Sequence, residues 1–141
     1  MVSQEVIDKL KKLREKEQPD TSDALTLFKL FQQIAEEEEE IQEELEDLDE
    51  IVIQNSYSDE DFKYWVKLGE GKFEVGEGEA EEPSVTMEAK AETWAGLGNG
   101  DLDATSAYMA GDLEIEGNLQ DAIAYGEVLD LIREIIDESE E

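Results

Sequence analysis

Apolar residues change their spacing along this chain, and each spacing predicts an element. Val6, Ile7, Leu10 and Leu13 recur at helical intervals within Val2 to Lys16, with basic residues on the other side, which predicts an amphipathic helix. Pro19 interrupts it, and Asp20 to Asp23 offer the polar oxygens that open a second helix. From Ala24 onward, Leu27, Phe31, Ile34, Ile41, Leu45 and Leu48 fall on a nearly heptad stripe with Glu38 in one slot. That stripe predicts one long helix ending near Asp47 or Leu48.

The period then shortens to two. Ile51-Val52-Ile53 is rich in β-branched residues, and Phe62, Tyr64, Val66 and Leu68 alternate with Lys63, Trp65 and Lys67. Gly69-Glu70-Gly71 predicts a hairpin turn, after which Phe73 and Val75 continue the alternation until Gly76-Glu77-Gly78. Beyond an acidic connector and Pro83, Val85, Met87 and Ala89 alternate with Thr86 and Glu88. With Leu113 and Ile115 these make five strands. The first four read as an antiparallel meander, because their connections are too short for helical crossovers.

Between the last two strands, Glu92 to Met109 reads as two short helices separated by a glycine-broken turn. The first carries Trp94 and Leu97, and the second ends in Ala107-Tyr108-Met109. After Gly117, Asn118 is placed to cap a closing helix with Asp121 in its first turn. Ala122, Gly126, Leu129, Ile132 and Ile136 form one face of that helix, joined by Ile123, Val128, Leu131 and Ile135.

Composition narrows the chemistry. The chain holds no His and no Cys, which removes the commonest general base, zinc sites and most nucleophilic triads. Its formal charge is −30, which opposes contact with a nucleic-acid backbone or an anionic membrane. That acidity fits a solvated surface for a high-salt cytoplasm, an acidic protein needing no special milieu, or a mimic of DNA. Nine Lys against two Arg, with Glu far above Asp, is not the usual balance of an extreme halophile. No apolar run reaches membrane-spanning length and the N-terminus lacks a signal-peptide pattern, so a cytoplasmic location is expected.

Individual motifs give no chemistry. Gly96-Leu97-Gly98-Asn99-Gly100 follows a helix and lacks a closing Lys-Ser/Thr pair, so it reads as a helix end and a turn rather than a phosphate loop. Asp101 and Asp103 are better placed to cap the next helix than to act as paired carboxylates, and Asp59-Glu60-Asp61 reads as a turn. The acidic block from Glu36 to Glu40 splays its carboxylates along a helix, where a calcium site needs them to converge. No enzyme activity, cofactor or metal is expected.

The run from Val85 to Leu119 resembles the sterol carrier protein 2 family. Its pattern is met by Val85-Thr86, Glu92-Thr93-Trp94, Leu97, Gly100, Leu102, Ala107-Tyr108-Met109, Gly111, Leu113, Ile115, Gly117 and Asn118. The earlier strands and helix fit the family's order, so the resemblance extends over roughly Ala24 to Ile136. It implies an α/β fold of the α+β type: a five-stranded, largely antiparallel sheet with one face covered by helices, enclosing an apolar tunnel. Here an extra N-terminal helix would occupy residues 1–20, the lipid-binding domain 21–138 and an acidic tail 139–141.

The resemblance also implies non-catalytic binding of a sterol, fatty acid, acyl-CoA or phospholipid, as carrier or depot. The tunnel wall would comprise Trp94, Leu97, Tyr108, Met109, Leu113 and Ile115, with Ile123, Leu129 and Ile132 from the closing helix. Each could equally be ordinary core. Two departures stand out. Lys90 replaces the family's Ser or Thr cap before the Trp-bearing helix, and members are commonly basic where this chain is acidic, so membrane contact should be weak or transient. The alternative reading is a dimerising or scaffolding module whose apolar cleft is filled by a second subunit or partner protein.

Overall fold

The computed structural model describes residues 3–15, 21–99 and 102–140; Val2, Lys16, Pro19, Asp20, Gly100 and Asp101 lie outside them. Six helices and five strands follow in the order α1 (Gln4–Arg14), α2 (Thr21–Glu37), α3 (Glu39–Glu46), β1 (Ile51–Tyr57), β2 (Lys63–Gly69), β3 (Lys72–Glu77), β4 (Val85–Ala89), α4 (Ala91–Asn99), α5 (Ala104–Ala110), β5 (Leu113–Gly117) and α6 (Leu119–Glu140). Helix α1 opens at Ser3, whose hydroxyl accepts from the Val6 amide. It buries Val6, Ile7 and Leu10 and packs on α2 and α6.

The long helix of the sequence reading is broken in two. Glu38 adopts an extended conformation, with φ −94° and ψ 116°, and separates α2 from α3. Consecutive glutamates repel across a helical turn, and the Gln42 side chain donates to the Ala35 carbonyl at 2.7 Å, satisfying a group near the break. The bend lets Ile41 and Leu45 both become fully buried.

The sheet order is β3-β2-β1-β4-β5. Three pairings are antiparallel, as expected, but β1 and β4 run parallel, with Ile53 opposite Val85. The four-strand meander is therefore corrected: the fourth strand crosses back to lie beside the first. No helix is needed for this. Three strand spacings are about 14 Å, and the seven connector residues 78–84 can span about 23 Å.

Gln54 anchors that crossing. Its amide donates to the Tyr64 and Gly78 carbonyls and its oxygen accepts from the Ala80 amide. Ser84 then bonds the Val52 backbone through both its amide and its hydroxyl.

Strand alternation divides the sheet into two faces. Ile51, Ile53, Asn55 and Tyr57 of β1 face the helices together with Tyr64, Val66, Leu68, Phe73, Val85, Met87, Ala89 and Leu113. Helices α2 and α3 lie over the β2–β3 side, and α6 lies over β1, β4 and β5. On the opposite face the connector crosses above Gln54, and the Trp65 indole lies against Gly76. A Cβ added at Gly76 would sit 2.3 Å from the Trp65 ring, so that residue must stay small.

Candidate functional site

The predicted lipid-facing residues sit on strand β5 and on three helices, α4, α5 and α6, fixed to the sheet from different directions. Helix α4 is tied at both ends. The Ala91 amide donates to the Asp59 carboxylate at 2.9 Å, so a residue from the β1–β2 turn supplies an acceptor where Lys90 offers none. At the other end the Arg133 guanidinium of α6 donates to the Leu97 carbonyl at 3.2 Å, a favourable position for a cation near a helix C-terminus. The Trp94 indole N–H donates to the Ser56 carbonyl at 2.9 Å.

Short helix α5 opens at Asp103, whose carboxylate accepts from the Ser106 amide and hydroxyl, and closes at Gly111 with φ 85°. Helix α6 opens at Asn118, whose side-chain oxygen accepts from the Gln120 and Asp121 amides. Both caps fall where the sequence placed them.

Around Trp94, aromatic rings continue along the interior. Tyr57 lies 6.1 Å from Trp94 and 5.5 Å from Phe62; Phe62 leads to Tyr64, Tyr64 to Phe28, and Phe28 to Phe31. These separations are those of tilted and edge-on pairs. Within this apolar wall lies a polar cluster absent from the sequence reading. Asn55 is 0% exposed, and its side-chain nitrogen donates to the Tyr125 hydroxyl at 3.4 Å. Tyr64 stands opposite Asn55 on β2 and is buried on the same face.

Burial raises all three interior tyrosines. Tyr57 is pushed up to about 12, by burial first and by Glu60 and Asp59 in addition. Burial drives Tyr64 and Tyr125 well upward, with the Asn55 contact opposing it in each case. All three therefore remain neutral hydroxyls at physiological pH.

The nine predicted wall residues fall into three groups. Leu113, Leu129 and Ile132 are core, while Trp94, Leu97 and Ile115 are half-buried against it. Tyr108, Met109 and Ile123 are exposed, Met109 at 81% and Ile123 at 58%. Leu102 and Leu119 join them as large exposed apolar residues. Two surface depressions along α2 and β3 are lined mainly by polar side chains such as Lys29, Gln33, Glu36 and Lys72, and contain none of the nine.

A helix-covered sheet in this strand order, with a Trp-bearing helix and a short helix before the last strand, has known relatives. The family model of the SCP-2 sterol transfer family matches residues 30–130, well over half of the chain. The chain belongs to the SCP-2 sterol transfer family. Membership establishes lipid binding or transfer in the general sense.

Solved structures agree on the fold. Sterol carrier protein 2 from Yarrowia lipolytica, in its apo form, superposes with a TM-score of 0.63 at 16% identity, over 77% of this chain and 88% of that one. The ubiquinone synthesis protein UbiJ-SCP2 gives 0.63 at 17% identity, over 77% and 94%. A sec-alkyl sulfatase from Pseudomonas gives 0.50 at 18% identity, over 58% of this chain but 13% of the enzyme. Among curated proteins none matches. The match from residue 30 leaves α1 outside the family region.

Proposed function

We propose that this protein binds an apolar lipid without catalysis, as a cytoplasmic carrier or depot, between its sheet and helices α4, α5 and α6. The observation that carries the reading is the placement of large apolar side chains on α5 and on the first turns of α6, namely Tyr108, Met109, Leu119 and Ile123, in water. Groups of this kind are stabilised by burial, at about 25 cal/mol per Å² of apolar surface. An entering acyl chain supplies the cover. Met109 is suited to such a role because its unbranched thioether adapts to irregular shapes.

Helix α5 is the element that can yield. It spans seven residues, buries Ala107 alone among them, and packs mainly on β5. Movement of α5 and the start of α6 away from the sheet would open a space lined by Trp94, Leu97, Leu113, Ile115, Leu129 and Ile132. The remaining three, Tyr108, Met109 and Ile123, would close over the ligand. Burying the chain stabilises the complex by about 0.8 kcal/mol per CH₂, with no bond made or broken.

The test is organic extraction and native mass spectrometry of the purified protein, followed by titration with fatty acids while tryptophan emission is monitored. Copurified lipid, or saturable quenching that disappears in Trp94→Phe, supports the reading. No lipid and no spectral response would end it.

The same exposed groups favour a second reading, in which another subunit or a partner protein covers them. The sulfatase shows this fold within a longer chain. Mass measured by light scattering at low and high salt separates the two: a stable dimer with no bound lipid would support the second.

A further inference from the structure

The interior polar cluster has an unfilled valence. The Asn55 side-chain oxygen is fully buried and accepts no hydrogen bond from the described protein groups. Its nitrogen donates to the Tyr125 hydroxyl, and Tyr64 stands opposite Asn55 on the neighbouring strand, on the same face of the sheet. A buried polar atom without a partner is disfavoured, so this oxygen gains nothing from the fold as it stands. Leucine has the same branching without the unpartnered polar atom.

The sheet register shows where the cluster leads. Asn55 pairs with Met87, and Met87 with Ile115, so one row of helix-facing side chains runs from the amide outward. Two strand spacings, about 10 Å, separate Asn55 from Ile115. That row passes from fully buried at Asn55 to half-buried at Ile115 on the edge strand. Beyond it lie α5, packed on β5, and the exposed start of α6. An extended alkyl chain laid along the row would place its end group at Asn55.

The cluster also constrains that end group. A carboxylate has no proton to give the Asn55 oxygen, and Arg133, on the same helix as Tyr125, is committed elsewhere: it bonds the Leu97 carbonyl and pairs with Asp130. A hydroxyl both donates and accepts. It can give its proton to Asn55 and receive one from Tyr125 or Tyr64, and it completes the amide in either orientation.

We propose that Asn55, Tyr64 and Tyr125 form an internal site for the terminal hydroxyl of a neutral lipid alcohol whose chain runs along Met87 and Ile115. This rests on the lipid-binding reading above and specifies which end of the ligand enters first.

The test compares dodecanol with dodecyl methyl ether, which keeps the oxygen as an acceptor and removes the proton. Wild type should bind the alcohol about tenfold more tightly, the effect of one buried hydrogen bond. Asn55→Leu should bring the alcohol to the affinity of the ether and leave the ether unchanged. Tyr125→Phe, which keeps the ring, should also reduce the preference, and it serves should Asn55→Leu fail to fold.

Equal binding of both probes to wild type overturns the hydroxyl site and leaves lipid binding intact. So does a preference that survives in both variants. If neither probe binds wild type, the lipid reading and the site both fall.

Discussion

Asp59→Ala should loosen helix α4 and lower the melting temperature by about 3 °C. The carboxylate accepts from the Ala91 amide at 2.9 Å, and loss of a capping acceptor destabilises by about 1 kcal/mol. Unfolding entropy of about 2.1 cal/mol/K per residue gives roughly 0.3 kcal/mol/K for 141 residues, which converts that loss to the stated shift. Lys90→Ser supplies the sharper arm. Its hydroxyl would sit at the N-cap position and reach the Thr93 amide, a different donor from the one Asp59 holds. The two changes should therefore add, and the double variant should melt close to wild type. Differential scanning calorimetry of the four proteins reads this directly. A melting temperature within half a degree of wild type for Asp59→Ala would refute the assignment, as would a Lys90→Ser gain that vanishes without Asp59.

The wall residues should divide by burial: Ile132→Ala should destabilise by about 3–4 kcal/mol through the cavity it leaves, whereas Ile123→Ala should stay within about 0.5 kcal/mol and yet weaken fatty-acid binding. Urea denaturation and tryptophan titration check the pair, and equal effects on stability would contradict it. Because the folded-state hydroxyls of Tyr57, Tyr64 and Tyr125 are raised, the unfolded chain loses their protons first. Their contribution is complete below about pH 10 and is lost as pH climbs toward the folded values. Chemical denaturation between about pH 9 and 11.5 should show falling stability, lessened in Tyr57→Phe. A charge of −30 should make the melting temperature climb with salt as the Debye length shortens from about 30 Å at 0.01 M to about 3 Å at 1 M. A flat response would mean that self-repulsion is unimportant to this fold.

Local signals in the sequence proved reliable where the physics was local. Asp103 and Asn118 cap the helices they precede, and Gly111 ends α5 in the left-handed conformation that favours glycine. Leu113, Leu129 and Ile132 lie in the core because period and burial agree there. Long-range events were hidden. The parallel β1–β4 pairing depends on Gln54, one polar residue in a strand, gripping a connector more than twenty positions away. The break at Glu38 was visible only as a charge in an apolar slot. Asn55 left a similar trace: it occupies the apolar phase of Ile51, Ile53 and Tyr57. Its partner Tyr125 shares the phase of Val128, Leu129 and Ile132. A polar residue in register with the core is a signal, but its partner on a distant helix cannot be identified before the fold is known.

On the proposed lipid-binding reading, charge and exposed apolar surface have to be weighed together where a ligand would enter. The exposed apolar residues of α5 and α6 are flanked by Asp103 and Asp112 at the two ends of α5, both exposed. Such a rim repels anionic bilayers through a field that salt screens within about 8 Å at physiological ionic strength, while the apolar side chains gain from contact over far shorter distances. Approach and capture are therefore governed by different forces. Approach selects against anionic surfaces, and capture selects for chain length. The interior hydroxyl site would add a third selection, acting only after the chain has left water. On the proposed reading the protein would discriminate by where it can dock before it discriminates by what it binds, and neutral surfaces or partners with a basic rim around an apolar patch would be its sources.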